Sequence, residues 1–511
     1  MIVECEKKTI NLKSSLTNHK NINWVEQDVL VPDSKPDVMK VVMVTATPYI
    51  SNKEISNNRI KVDGKMNYFI IYKTSDDIQN TRGMYMSYPF TTSLPIKDIN
   101  KDMNIHLDTK IGNVIYSLPN ERKISIKTEM IFNVKCNENM KLDIIQNFPN
   151  QLNIQTKTKE TKCMNHILSK NSIIASKEEI LIDNQYEDFY EILNIDSKIQ
   201  NTDYKESYNK IMIKGDILLD VMYLSNSSKS QINRMPLEIP FSGMIELDNI
   251  NDKSKFDINY EMRELSVKVN LENMTSKMME VDFQIEVNIN MYEEEEVSYI
   301  EDFYSQNHDI KSSFKKISPI SNKIVNYKSI DIKETLNNIL DNNYKLLNCI
   351  ADINNLAINV INDKIDIEGN VKMDMLLQNI DTLEIESKNF ELMINESIQY
   401  SKSSINSNIT VKIDVEKLNA SILSRDIEVK MRLNMCITEE EKLDINYTEK
   451  VEILDDYKDN LDSMYIYMIK ENDTLWDIAK RYKTTINNIM ETNSITDIEE
   501  IKENKKLLII R

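Results

Sequence analysis

The sequence has few of the residues that build flexible, cross-linked or metal-binding structures. Its 511 residues include only 6 glycines and 10 prolines, which leaves little room for flexible linkers or glycine-rich phosphate loops. The 5 cysteines are far apart without a CxxC pair, a pattern typical of isolated thiols in a reducing compartment. The 4 histidines are scattered, so neither a metal site nor a cofactor is predicted.

Other absences disfavour whole classes of function. No stretch approaches the ~20 consecutive apolar residues of a membrane helix, and the charged N-terminal residues MIVECEKK do not resemble an export signal. Aspartate and glutamate outnumber lysine and arginine by 82 to 63, and the net charge of −19 disfavours nucleic acid and anionic membranes as partners. HExxH, GxGxxG, Walker and GxSxG motifs are absent. We therefore predict a non-enzymatic protein that stays in the cell that makes it.

An internal repeat occupies most of the chain. Three segments alternate apolar and polar residues around one glycine, and this period of two predicts a strand with one buried face. The glycines are 151 and 154 residues apart, and together they are half of the chain's 6 glycines. A glycine inside a strand marks a bend, a bulge or a close backbone approach. The segments are Ile60–Tyr72 with Gly64, Ile211–Tyr223 with Gly215, and Ile365–Leu377 with Gly369.

Further landmarks recur with the same spacing. Phe90 and Phe241 each lie 26 residues beyond their glycine, and Phe390 lies 21 beyond the third one. Each copy ends in another alternating apolar run, and apolar residues at helical spacing predict short helices at Phe189–Leu193 and Leu336–Leu347. The prediction is a mainly β protein of three tandem β-rich repeats of ~130 residues with short helical inserts. Their bounds are 20–150, 170–300 and 320–455, and the polar stretch Gln151–Lys162 is predicted to be a linker.

The last 47 residues, 465–511, are predicted to form a separate small domain of strand, helix, helix and strand (βααβ). Asn472 begins a turn, because asparagine tolerates the left-handed backbone conformation. Thr474 and Asp477 have the spacing of a helix capping box, and Thr485 offers a second helix N-cap. An amphipathic stripe of Leu475, Ile478, Ala479 and Tyr482 follows the first cap.

This region resembles the LysM family through Tyr467-x-Ile469-x-x-Asn472-Asp-Thr-Leu-Trp476, with Asn472 and Asn504 where the family has glycine. The resemblance implies a groove that binds a partner or glycan between the first strand–helix loop and the loop after the second helix. Trp476 is either a core residue or an anchor in this groove, whereas Trp24 is predicted to be core. The groove positions are Asn472, Asp473, Thr474, Leu475, Trp476, Asn493, Ser494 and Ile495.

The repeats resemble the SPOCS domain, a module of spore-coat-associated proteins. The resemblance is clearest in the first copy, where Gln27–Asp37 reads QDVLVPDSKPD and the glycine strand ends in Ile71-Tyr72. The loop around Pro32 and Pro36 is either a rigid turn or a partner contact, and turn architecture is favoured because both prolines fix the backbone.

SPOCS-like repeats followed by a LysM domain resemble the SipL-like family of spore coat morphogenesis proteins. The resemblance implies a scaffold in the mother-cell cytoplasm, at the forespore surface and spore coat. Its implied partners are stage IV sporulation protein A, the ATPase of the coat basement layer, and other coat proteins. The alternative is a protein that binds peptidoglycan or N-acetylglucosamine chains. The N-terminal residues count against it, because they do not resemble an export signal. A third hypothesis, an enzyme anchored by LysM, lacks a catalytic motif.

Overall fold

The computed structural model describes residues 5–75, 80–97, 99–101, 103–149, 153–183, 185–225, 231–269, 278–353, 356–361, 363–404, 406–456, 464–496 and 505–510, with the backbone alone for 13–18, 137–140 and 455–456. Strands dominate these residues, which confirms the mainly β prediction, and both described helices lie near the C-terminal end. The strands before residue 306 are β1 Glu6–Leu30, β2 Lys40–Ser56, β3 Arg59–Lys73, β4 Thr81–Pro95, β5 Met103–Asn120, β6 Lys123–Asn147, β7 Ile154–Leu181, β8 Phe189–Ser207, β9 Lys210–Ser225, β10 Ile232–Glu246, β11 Ser254–Val269 and β12 Met278–Ser305. The later elements are β13 His308–Ile317, β14 Ile320–Leu336, β15 Tyr344–Asp352, β16 Leu356–Ile361, β17 Lys364–Asn379, β18 Ile385–Gln399, β19 Ser407–Leu423, β20 Asp426–Lys442, β21 Ile445–Asp456, β22 Met464–Met468, α1 Leu475–Tyr482, α2 Ile486–Thr492 and β23 Lys506–Ile510.

The same strand connectivity occurs three times along the body. In the first copy, β2, β3 and β4 form one antiparallel sheet, and β6 lies between β1 and β5 in the other. The second copy repeats this with β8-β9-β10 and with β12 between β7 and β11. In the third copy β17 lies between β18 and the successive strands β15 and β16, and β20 lies between β14 and β19. Each copy encloses its own apolar cluster between two sheets.

The repeated glycines have a structural reason in the first two copies. Gly64 is directly opposite Phe90 on the neighbouring strand, and Gly215 is directly opposite Phe241. A Cβ atom at Gly64 would lie 2.8 Å from Cζ of Phe90, and one at Gly215 would lie 2.7 Å from Cζ of Phe241. The phenylalanine ring therefore packs directly on the glycine, which explains the shared spacing of 26 residues.

The third copy uses its glycine differently. Gly369 lies opposite Ile394, while Phe390 lies opposite Met373. The backbone at Gly369 has φ of 150°, a conformation that residues with a side chain rarely adopt. Phe390 is therefore not the counterpart of the other two aromatic residues, and a conformational requirement replaces the ring contact.

The predicted helical inserts are wrong. Phe189–Leu193 is the first part of strand β8, where bulges between Phe189 and Glu191 and between Ile192 and Asn194 interrupt the alternation. Phe189 and Ile192 pack in the core of the second repeat, whereas Tyr190 and Leu193 pack in a cluster shared with the other repeats. Apolar residues on both faces, shifted by two bulges, reproduce helical spacing in a strand. The second prediction, Leu336–Leu347, instead spans the end of β14, a turn and the start of β15.

Two further predictions from the sequence are wrong. Residues 154–162 of the predicted linker Gln151–Lys162 belong to β7, which pairs along its length with β12. Its polar composition reflects an exposed ribbon that is held by backbone hydrogen bonds. Trp24 is 46% exposed, because the alternate residues Val25 and Val29 of β1 are the ones that face the core.

The three repeats share two apolar junctions. One contains residues of all three glycine-bearing sheets: Val42, Met43, Ile71, Leu193, Met222, Leu224, Ile232, Leu347, Leu376 and Ile385. The other joins the ends of the long ribbons β1/β6, β7/β12 and β13/β21, and we call it the ribbon bundle: Ile10, Leu12, Leu142, Ile144, Cys163, Val297, Tyr299, Ile445 and Tyr447. A single bridge, Leu12 opposite Asn165, also connects β1 to β7 in one six-stranded sheet.

Candidate functional site

The small C-terminal domain has the predicted βααβ order, with β22 antiparallel to β23. Its first turn contains Asn472 at φ 65°, in the left-handed conformation that the sequence predicts. The carboxylate of Asp473 closes the turn by accepting hydrogen bonds from the Tyr467 hydroxyl at 2.6 Å and the Lys470 backbone N–H at 2.8 Å. These bonds, with Tyr467 first, lower the pKa of Asp473. Asp473 thus holds the loop in shape.

Helix α1 begins with the predicted cap. The hydroxyl oxygen of Thr474 accepts a hydrogen bond from the Asp477 backbone N–H at 3.2 Å, and the hydroxyl donates to the Asp477 carboxylate at 2.6 Å. Leu475, Ile478 and Ala479 are the buried face of this helix. Thr474 itself remains exposed, so the rest of the C-terminal domain does not cover it.

The second predicted groove loop follows helix α2, which is capped by Thr485 as predicted. The Asn493 side-chain amide donates to the carbonyl oxygens of Ile489 at 2.8 Å and Leu508 at 2.7 Å, and its oxygen accepts from the Leu508 N–H at 2.7 Å. Asn493 therefore clamps strand β23 to the helix. Ser494 is exposed at φ 51°.

The two loops meet at the core of the domain. Leu475 from the first loop and Ile495 from the second are 2% and 5% exposed, and both belong to one apolar cluster. This convergence gives the eight predicted positions three different placements. Leu475 and Ile495 are core, Asp473 and Asn493 hold the loops, and the remaining positions, Asn472, Thr474, Ser494 and Trp476, keep some or all of their surface exposed.

Trp476 packs against the second repeat. Its indole Nε1–H donates to the carboxylate of Asp302, near the end of β12, at 2.7 Å. Its ring lies edge-on to Tyr304 with 5.1 Å between ring centroids. Trp476 also packs, partly buried, against the apolar cluster of its own domain, as the core alternative expects. The contact with Asp302 and Tyr304 between domains is an addition that neither sequence alternative includes.

Two neighbouring hydrogen bonds strengthen the same interface. Lys480 donates to the other carboxylate oxygen of Asp302 at 2.5 Å, and Tyr304 donates to the Thr484 carbonyl oxygen at 2.7 Å. Burial raises the pKa of Asp302, but the hydrogen bonds from Lys480 and Trp476 outweigh it, and the pKa is lowered overall. Asp302 is thus held as an anion between two donors. Neither Asp302 nor Tyr304 could be found from the sequence, because each is part of an ordinary strand pattern.

The loop around Pro32 and Pro36 is organised by a residue from elsewhere in the first repeat. The Arg122 guanidinium donates to the carbonyl oxygens of Val31, Pro32 and Lys35, at 3.0, 3.0 and 2.9 Å. The Lys35 side chain then donates to the Gly83 carbonyl oxygen at 3.0 Å and pairs with Glu191 of the second repeat. These bonds are the turn architecture favoured from the sequence, and they also join two repeats.

Within the described parts of the chain, no group of three histidine, cysteine, aspartate or glutamate side chains could hold a metal ion. None of the described helices is long and apolar enough to cross a membrane.

Comparison with known families agrees with the domain types inferred from the sequence. The family model described as SipL, SPOCS domain matches residues 37–119 and 188–279, in the first two repeats. The LysM domain model matches residues 467–509. Neither the curated proteins nor the solved structures contain a significant match. The chain therefore carries two segments of the SipL SPOCS domain and, at its C-terminal end, a LysM domain.

Proposed function

We propose that the protein is a non-enzymatic scaffold of spore coat assembly that acts in the mother-cell cytoplasm at the forespore surface. Its LysM groove binds stage IV sporulation protein A, and its repeats, 20–150, 170–300 and 320–455, offer surfaces to other coat proteins. The observation that carries the proposal is the presence of SipL SPOCS segments and a LysM domain in one chain. The SPOCS match supports a role in sporulation, and a LysM domain supplies a compact binding module.

The geometry narrows which groove residues can touch the partner. Leu475 and Ile495 are buried in the domain core, and Asp473 and Asn493 are engaged in the bonds that hold the loops. The accessible set is Asn472, Thr474 and Ser494 together with the exposed part of Trp476. Tryptophan is among the residue types most enriched at the energetic centres of protein interfaces, so the exposed part of Trp476 is the strongest candidate anchor in this set.

The contact between Trp476 and Asp302 bears directly on this proposal. A partner that anchors on the whole indole must displace Asp302 and Tyr304, whereas one that uses only the exposed edge leaves them in place. Replacing Asp302 by alanine removes the hydrogen bonds to Trp476 and Lys480 and leaves the LysM core intact. Asp302→Ala should therefore strengthen binding of a partner that must displace Asp302, and it should leave the affinity of a partner that uses only the exposed edge unchanged.

A second candidate is a glycan-binding protein, and the LysM match itself favours it, because LysM domains are associated with N-acetylglucosamine polymers. In that case the same accessible residues would contact peptidoglycan or chitin-type chains. The two candidates differ in ligand and share the site, so one set of variants tests both.

The experiment measures binding of the full chain to purified stage IV sporulation protein A and, separately, to N-acetylglucosamine hexamer. Trp476→Ala should weaken binding to the protein partner by about 30-fold, since a central tryptophan is worth ~2 kcal/mol or more. Trp24→Ala is the matched control, because Trp24 is the only other tryptophan and is 46% exposed on β1. Retention of the hexamer without binding to the coat ATPase would favour the glycan candidate and end the scaffold proposal in this form.

A further inference from the structure

A large polar cavity lies where the three repeats meet. Its volume is about 730 Å³, within the ~300–1,000 Å³ typical of small-molecule sites. Strands of every repeat line it, including β2 and β5 of the first, β11 and β12 of the second, and β14, β19 and β20 of the third. The cavity lies between the two apolar junctions. On β2 its lining residues come after Val42 and Met43 of the first junction, and on β12 they come before Val297 of the ribbon bundle.

The alternation of the closing strands creates this cavity. On β12, Val287 and Ile289 face the core of the second repeat, while Glu286, Asn288 and Asn290 line the cavity. The closing strands of the other two repeats do the same. On β6 Lys135 lies between the core residues Val134 and Cys136, and on β20 Cys436 and Thr438 alternate with the core residues Met435 and Ile437.

The charge of the lining is opposite to that of the whole chain. The chain has 82 acidic and 63 basic residues. The cavity instead has six lysines and arginines against three carboxylates. The basic residues are Lys53, Lys135, Arg263, Lys323, Lys412 and Lys442, and the acidic ones are Asp257, Glu286 and Glu440.

Local ion pairs do not remove this excess. Lys53 pairs with Glu261 at 2.7 Å, and Lys323 pairs with Asp257 at 2.8 Å. Among the residues that the structure describes, Lys135 and Lys412 form no ion pair within 4 Å. They come from the first and third repeats, and each is near enough to the same histidine, His106, to lower its pKa.

Burial is the main cause of two lowered pKa values in the cavity, and neighbouring cations add to it. Burial, followed by Lys412, lowers the pKa of Lys135, although Glu440 and Asp257 partly offset this. Burial, and then Lys412 and Lys53, lower the pKa of His106 to about 4. A bound anion would favour the charged form of both groups.

We propose that this cavity binds a small multivalent oxyanion, a molecule with two or more phosphate or carboxylate groups, between Lys135 and Lys412. Cations from different repeats can each meet one anionic group of such a ligand. Neutral donors on the same walls, Asn288, Thr410 and Thr438, supply further hydrogen bonds. Because all three repeats contribute, the ligand would also fix their relative positions.

The test is calorimetric titration of the full chain with inorganic tripolyphosphate and, in a second arm, with citrate. We expect saturable binding of one molecule per chain that weakens as sodium chloride is raised, and the tighter arm assigns phosphate or carboxylate as the ligand group. Lys135→Gln and Lys412→Gln should each weaken binding by about tenfold or more. Lys127→Gln is the matched control for Lys135→Gln. Lys127 lies on β6 like Lys135, but it is exposed and pairs with Glu26 at 2.7 Å.

A second measurement keeps the result independent of folding defects. The imidazole of His106, which faces Lys53, Lys135, Lys412 and Asp108, should titrate at higher pH when tripolyphosphate is bound, as followed by NMR. Absence of saturable binding in both arms would overturn the proposal. Equal loss in the Lys127 control, or an unchanged His106 titration in the saturated protein, would also overturn it.

Discussion

Substitution of Gly215 by alanine tests the ring-on-glycine contact that underlies the repeat. The new Cβ atom would lie 2.7 Å from Cζ and 2.8 Å from Cε1 of Phe241, and 3.2 Å from Cγ2 of Thr202. Phe241 cannot easily move, because it is 5% exposed and packs against Tyr260 with 6.5 Å between ring centroids. Overpacking of this kind costs about 1–3 kcal/mol. We expect Gly215→Ala to lower the local free energy of unfolding by that amount.

The assay is amide hydrogen exchange read by mass spectrometry, because a chain with several domains does not unfold in one two-state step. Peptides from β9 and β10 should exchange about 5- to 150-fold faster than in the wild-type protein, which is the rate equivalent of the expected cost. Gly112→Ala is the matched control. The three atoms nearest to its Cβ would all belong to the Glu129 side chain, with Oε2 at 2.6 Å. That flexible side chain can move away at the cost of the exposed hydrogen bonds that it accepts from Asn113, so the expected effect is smaller than that of overpacking a buried ring.

A double variant tests the cause of the effect. In Gly215→Ala/Phe241→Leu the ring edge is gone, so the costs of the two changes should be less than additive by about 1 kcal/mol. Wild-type exchange in β9 and β10 of Gly215→Ala would refute the close contact. Strict additivity in the double variant would show that the cost arises elsewhere.

Three further changes have defined outcomes. Arg122→Lys should speed exchange of the loop amides around Lys35 by about tenfold, because lysine cannot donate to all three loop carbonyls at once. Glu439→Gln should destabilise the third repeat by about 1–3 kcal/mol at neutral pH. Burial raises the pKa of Glu439, but hydrogen bonds from Ser403 and Tyr400 lower it from 4.5 to about 2. Its contribution is therefore complete above about pH 4.5 and is lost as the pH falls towards 2. Hydrogen exchange of peptides from β20, corrected for the intrinsic pH dependence of exchange, should show this loss in the wild-type protein and not in the variant. Asp302→Ala should shift the fluorescence of Trp476 to longer wavelength as the indole becomes exposed, while Glu301→Ala should not.

The strands could be predicted from the sequence where one face is buried. Ile60, Val62, Met66 and Tyr68 alternate along β3 because they face one core, although Ile71 further along the strand packs in the shared junction. Gly64 could be recognised because a phenylalanine follows it, and follows Gly215, by the same 26 residues. Phe189–Leu193 failed because both of its faces are buried and two bulges shift the phase. Periodicity detects one-sided burial, and a strand between two apolar clusters carries no such signal.

The LysM site was also predictable only in part, because some of its contacts are local in sequence and others are not. The left-handed Asn472 and the cap between Thr474 and Asp477 were predictable, because their partners lie within a few residues. The docking of Trp476 was not, since its partner Asp302 is 174 residues away in sequence. A polar residue on a strand gives no indication of which distant domain it meets.

The cavity shows why a repeated strand pattern can combine a constant fold with a varied function. The two faces of a strand are independent, because successive side chains point in opposite directions. In β6, β12 and β20 one face repeats the same apolar alternation and builds three similar cores. The other face differs in each copy, with Lys135 in the first, Asn288 in the second and Thr438 in the third. Substitutions on that face can change what the cavity binds without altering the cores, so three copies of one fold together form a site that no single copy contains.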